Sequence, residues 1–170
     1  RTRLLTIWDE FSHWGLVTKN YYYLNSFFYS NLSTTTFPGY PPAVSLFQYF
    51  TLKFDGVFVE NTLYRAINIL NFSMILSIIK GFKWKDWKSL LPITAALFLL
   101  PMSLFPFFYD SIYIDPLLGV TFFYLINLFL TEKKYDLFHY LNTTLAVFFL
   151  TLSKSSGAGL VIIALIIQLI

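Results

Sequence analysis

Asp9, Glu10 and His13, in the run WDEFSHWG (8–15), are the first residues whose types and spacing support chemistry. On a helix beginning at Asp9, either carboxylate lies one turn from the imidazole and can touch it. Such a trio supplies a general base oriented by His13, or oxygen ligands for a divalent cation such as Mg or Mn. The same residues also suit a helix N-terminus, with Asp9 as cap, Glu10 favoured by the dipole and His13 exposed. A second acidic stretch, YDSIYIDP (109–116), carries Asp110 and Asp115, either as partners in a shared site or as ordinary surface carboxylates. Lys154, in SKSSG (153–157), is a lone cation beside Gly157. It reads as a lipid-phosphate ligand, with Gly157 and Gly159 leaving room for the anion, or as an anchor snorkelling to the interface.

The elements that must hold these residues are apolar. Of 170 residues, 56% are hydrophobic, 21% aromatic and only 12% charged, and the mean hydropathy is +0.62. Soluble domains carry about 25% charged residues, so too few are present to clothe a water-facing surface. The expected fold class is an all-α, multi-pass transmembrane bundle in a lipid bilayer, with outer-face interfacial helices in its first loop. A net charge of +3, dispersed in loops, argues against nucleic acid as a partner. With no cysteine, disulfides and thiolate metal sites are excluded. The chain begins RTRLL and stops within VIIALIIQLI, so both ends look cut and a fragment of a longer protein is expected.

The organisation changes at residue 63. Residues 1–62 are aromatic but interrupted by polar residues and by STTTFPGYPP, and form an outer loop; residues 63–170 hold about five spans, the last truncated. The spans run about Leu63–Ile79, Ser89–Phe108, Leu117–Leu130, Leu137–Leu152 and from Ala158. Pro92, Pro101 and Pro106 kink the second. Lys80, Lys83, Lys85 and Lys88 lie in one loop and Lys133 and Lys134 in another, which turns both toward the cytoplasm. Residues 1–62, 109–116 and 153–157 then share the outer side, which collects Asp9, Glu10, His13, Asp110, Asp115 and Lys154. Between Asp9 and Tyr29, Phe11, Trp14, Tyr21, Leu24 and Phe28 recur at helical spacing, as on an interfacial helix. A second short helix starts after Pro41-Pro42. Trp84 and Trp87 suit interfacial anchors, and Asn31-Leu32-Ser33 matches the glycosylation pattern. No phosphate-cradling Gly-rich motif, Ser-His-Asp arrangement or HExxH occurs.

The acidic pair in the first outer loop, the aromatic stretch leading to YPP (40–42), Asp115 in the second loop and SKSSG after a later span together resemble the GT-C glycosyltransferases. WDEFSHWGLVTKNYYYL and YPPAVSLFQYF look like a bacterial membrane-protein group of the dolichyl-phosphate-mannose-protein mannosyltransferase-like type. SKSSG departs from the Lys-Gly-Pro type of sequence found in many relatives. The resemblance implies a multi-pass enzyme of the bacterial plasma membrane that moves a sugar from a polyprenyl-phosphate donor to a glycan or protein acceptor of the cell envelope. It implies Asp9 as catalytic base with Glu10 as competitor, and Lys154 or a metal held by Asp9 and Asp115 facing the leaving phosphate. His13, Asp115 and Lys154 would bind substrate. A polysaccharide polymerase, flippase or transporter subunit without transferase chemistry is the alternative.

Overall fold

The computed structural model describes residues 3–26, 35–131 and 136–169. Phe28, the Asn31 pattern, Lys133 and Lys134 lie outside them, as does the side chain of Trp84. Among the described residues every regular element is helical. A π-helical turn, Glu10–Trp14, runs into α1 (Gly15–Leu24), followed by α2 (Ala43–Asp55) and α3 (Glu60–Ile75), which continues as a 3₁₀ turn to Ile79. Then come α4 (Trp87–Leu104), α5 (Ile114–Thr131), α6 (Leu137–Thr151) and α7 (Ser155–Leu169).

Among the described residues three helices are long and apolar enough to cross a membrane: Glu60–Ile79, Trp87–Leu104 and Ile114–Thr131. At 15 residues α6 falls short of the roughly 20 that a hydrocarbon core requires, and α7 is described over 15 residues up to Leu169, so three of the five expected spans meet the length within the described residues. Much of their apolar surface faces outward, including Leu99, Leu145, Ile162 and Ile166, which is compatible with contact to lipid.

Local chemistry sets the ends. The second span was expected to reach Phe108, but α4 stops at Leu104 because Pro106 forces Phe105 into an extended conformation, φ −140° and ψ 97°. Pro92 and Pro101 are both accommodated within α4. Helix α2 starts directly after Pro42, as the sequence predicts, and ends where Gly56 turns left-handed at φ 69°. Asp136 caps α6, its Oδ1 accepting from the His139 backbone N–H at 2.8 Å.

The first aromatic stripe is redistributed. Trp14, Val17 and Tyr21 are buried, whereas Phe11 and Leu24 are exposed and the helix ends at a left-handed Asn25. A π turn holds one residue more than an α turn, so the stripe read at α-helical spacing drifts off the buried face. That face packs on α2 rather than lying freely at an interface. Thr18 Oγ1 donates to Gln48 Oε1 at 2.8 Å, and Gln48 Nε2 donates to the Leu63 carbonyl at 3.4 Å. These bonds tie α1, α2 and α3 through otherwise buried polar groups.

One apolar cluster runs across the expected boundary at residue 62. Trp14, Val44 and Leu52 share it with Leu63, Leu117, Leu125, Leu150 and Ala164. Helix α5 lies at its centre, against α3, α6 and α7. By contrast, α4 stands apart with no buried residue. It meets its neighbours through contacts such as Phe98 with Phe72 and the Tyr109 hydroxyl donating to the Phe98 carbonyl at 3.0 Å.

Candidate functional site

Four separate segments converge at one end of the bundle: the π turn, the chain before α2, the start of α5 and the α6–α7 turn. They enclose a pocket of about 150 Å³ lined by Asp9, His13, Trp14, Phe37, Tyr40, Tyr113, Asp115 and Lys154. Each is delivered by a local device. The π turn closes with the Gly15 N–H donating to the Glu10 carbonyl, and a Cβ at Gly15 would stand 2.7 Å from that same oxygen. The Ala43 N–H donates to the Leu152 carbonyl at 2.9 Å, pinning the segment ahead of α2 to the α6–α7 turn. At Gly157 a Cβ would collide with the Leu150 carbonyl. The space foreseen for an anion at this glycine is therefore filled by the chain's own backbone, whereas Gly159 faces open space.

Asp9 makes no capping hydrogen bond, so its carboxylate is left for the pocket, which Tyr113 also lines. Burial first, and then the Asp9 charge, raise the Tyr113 phenol above its ordinary pKa and keep it a donor. Lys154 Nζ lies 2.6 Å from Asp115 Oδ1, joining the α6–α7 turn to the head of α5.

Glu10 faces a different way. It is fully buried, and both oxygens are engaged. Oε2 accepts from the Thr6 and Ile7 N–H groups, each at 3.2 Å, and from the Tyr64 hydroxyl at 2.8 Å. Oε1 accepts from the Ile112 N–H at 3.0 Å. Glu10 thus fastens the N-terminal segment, α3 and the loop before α5, and with no oxygen lining the pocket it acts there as a positioning residue. Asp110 also stands outside the pocket, paired at 2.8 Å with Arg3, whose guanidinium lies 4.9 Å above the Tyr64 ring.

His13 is 3% exposed and stands edge-on to Trp14, Phe37 and Tyr40, with ring centroids 4.5, 5.5 and 5.2 Å away. Burial lowers its pKa from 6.5 to about 4, against the opposing pull of Asp9, so the imidazole is neutral at physiological pH. Its Nδ1 is buried without a hydrogen-bond partner.

The sequence thus named Asp9, His13, Asp115 and Lys154 of the pocket but not Tyr113 or the aromatic wall. Tyr113 lies within the quoted YDSIYIDP, and Tyr40 within the quoted YPP; neither stands out from the chain's many other aromatics. No family model matches this chain, and neither does any curated protein or solved structure.

The pocket has an apolar neighbour. A cavity of about 640 Å³ lies between α3, α4 and α5, lined by residues such as Ile75, Leu97, Pro101, Phe108, Gly119 and Phe123. Tyr113 and Asp115 line both spaces. Among the described residues no three His, Cys, Asp or Glu side chains converge in a metal-binding group. Asp115, one of the two metal ligands expected, is paired with the Lys154 ammonium.

Proposed function

We propose that this chain is the catalytic portion of a membrane glycosyltransferase that transfers a sugar from a polyprenyl-phosphate donor to a glycan or protein acceptor of the cell envelope. The observation that carries this reading is the junction at Tyr113 and Asp115, where a small charged pocket meets a larger apolar cavity. A lipid-linked sugar has the same division, a polar ring and phosphate joined to a hydrocarbon chain. Helices α3 to α7 then cross the bilayer of a bacterial plasma membrane in alternation, the short α6 by local thinning. The Lys80–Lys88 loop faces the cytoplasm and the pocket the outer side.

In this reading Asp9 takes the proton of the acceptor hydroxyl. The acceptor oxygen attacks the anomeric carbon from the face opposite the phosphate, the carbon–oxygen bond to the phosphate breaks, and its electron pair leaves on the phosphate oxygen with inversion at carbon. Lys154 meets the growing negative charge, with Asp115 holding the ammonium in place until the phosphate arrives. Tyr113 orients Asp9, and Glu10 keeps the π turn and the Tyr113 loop in register.

The test is incubation of the full-length membrane protein with a labelled polyprenyl-phosphate sugar. Asp9→Asn is expected to abolish transfer, about 10²-fold or more, while expression and melting temperature stay near wild type. Undiminished transfer by Asp9→Asn would remove the base and this mechanism with it. Binding or translocation of the donor lipid with no transfer under any condition would favour the flippase or transporter reading. Because the Lys154 ammonium rather than a metal ion faces Asp115, transfer is expected to persist after exhaustive chelation; its loss, restored by Mg or Mn, would return the metal.

A further inference from the structure

Within the pocket one group is left over by the transfer chemistry. His13 is nine-tenths or more buried, lines the pocket, and carries a ring nitrogen with no partner. A buried polar atom without a hydrogen bond costs free energy unless a ligand completes it. Beside it stand three aromatic rings, with Tyr40 stacked near-parallel to Phe37 at 5.2 Å and 19° and to Trp14 at 5.4 Å and 14°. Aromatic faces carry partial negative charge and attract the C–H groups of a pyranose. Their edges and the imidazole then meet its hydroxyls.

The charges point to the kind of ring. The polar groups lining the pocket are the carboxylates of Asp9 and Asp115, the phenols of Tyr40 and Tyr113, the imidazole of His13 and one ammonium, Lys154, bonded to Asp115 at 2.6 Å. Arg3 is engaged by Asp110 outside the pocket. With Lys154 held by Asp115 at rest and turned to the donor phosphate in the reaction, a carboxylate on the sugar ring would find two like charges and, among the described residues, no further cation lining the pocket.

We propose that His13, with the wall formed by Trp14, Phe37 and Tyr40, is the specificity-determining face of the pocket, accepting a single uncharged hexose ring and rejecting a hexuronate. The depressed pKa of the imidazole is consistent with this, since a neutral ring both donates and accepts hydrogen bonds and offers no counter-charge to an acid. The inference rests on the glycosyltransferase reading for the role of the ring, but not for its binding.

The experiment therefore measures binding without donor lipid. Full-length protein in nanodiscs of uncharged phosphatidylcholine is titrated with methyl glucoside, methyl mannoside, methyl galactoside and methyl glucuronide, followed by saturation-transfer NMR at pH 7. At least one neutral glycoside is expected to bind, about tenfold or more tighter than the glucuronide. His13→Phe should weaken that binding by about tenfold, and His13→Asn, which restores an acceptor and a donor, by less. Since His13 is buried, Phe37→Ala at the exposed rim provides a second variant and should weaken binding with little change in melting temperature. Equal or tighter binding of the glucuronide, no binding of any neutral glycoside, or unchanged binding by both His13→Phe and Phe37→Ala overturns the proposal. Hexoside binding without sugar transfer would defeat the transferase reading alone; transfer with neutral and uronate donors used equally would defeat this one alone.

Discussion

Each oxygen of the Glu10 carboxylate serves a different part of the chain, so the residue tolerates little change. Glu10→Gln keeps the shape but turns one acceptor into a donor, facing either Ile112 N–H or the cluster of Thr6, Ile7 and Tyr64. The expected loss is about 1–3 kcal/mol of stability, read as a lower melting temperature in detergent, where Asp9→Asn should have almost none. His13 adds a pH dependence. Its pKa falls from 6.5 in the unfolded chain to about 4 in the fold, so between those values the unfolded chain binds the proton more strongly. Stability should therefore decline as pH drops from about 6.5 to about 4 and level off below. Melting curves across that range test this, and His13→Asn should flatten the slope.

The glycines of the α6–α7 turn separate packing from mere flexibility. Gly157→Ala drives a methyl into the Leu150 carbonyl, whereas Gly159→Ala meets open space. The first is expected to cost about 1–3 kcal/mol and to displace Lys154 from Asp115, lowering transfer; the second should be neutral or slightly stabilising. Thermal melts of the two variants decide it. Similar reasoning explains what the sequence disclosed. Helices α2, α3, α5 and α6 were legible because apolar runs, the Pro41-Pro42 start and polar breaks are local signals. The grouping of Asp9, Asp115 and Lys154 at one end followed from counting crossings. The π turn was not legible: the close approach of Leu5 to Gly15 that accompanies it forms only after the N-terminal segment folds back. That same fold-back buries Glu10, which by spacing alone was as good a base as Asp9. Nor does spacing reveal that Asp110 is claimed by Arg3, distant in sequence.

For the molecule as a whole, the apolar cavity and the charged pocket should be separable by mutation. Gly119 lines the cavity, and a Cβ there meets nothing within 4 Å. Gly119→Leu should fill space without strain, weakening use of a long polyprenyl donor several-fold while sparing a short-chain analogue; equal effects on both would disconnect the cavity from the donor. The isolation of α4 has another consequence. Residues in α3 and α5 are fixed by the neighbours they touch, but α4, with no buried side chain, has almost no such partners. A saturation-mutagenesis map should therefore read its outward face, away from the Phe98 contact and from the cavity wall of Leu97 and Pro101, as a band where leucine, isoleucine, valine and phenylalanine are freely interchangeable and every charge is refused. In descendants of this sequence, α4 would change letters fastest while keeping its composition.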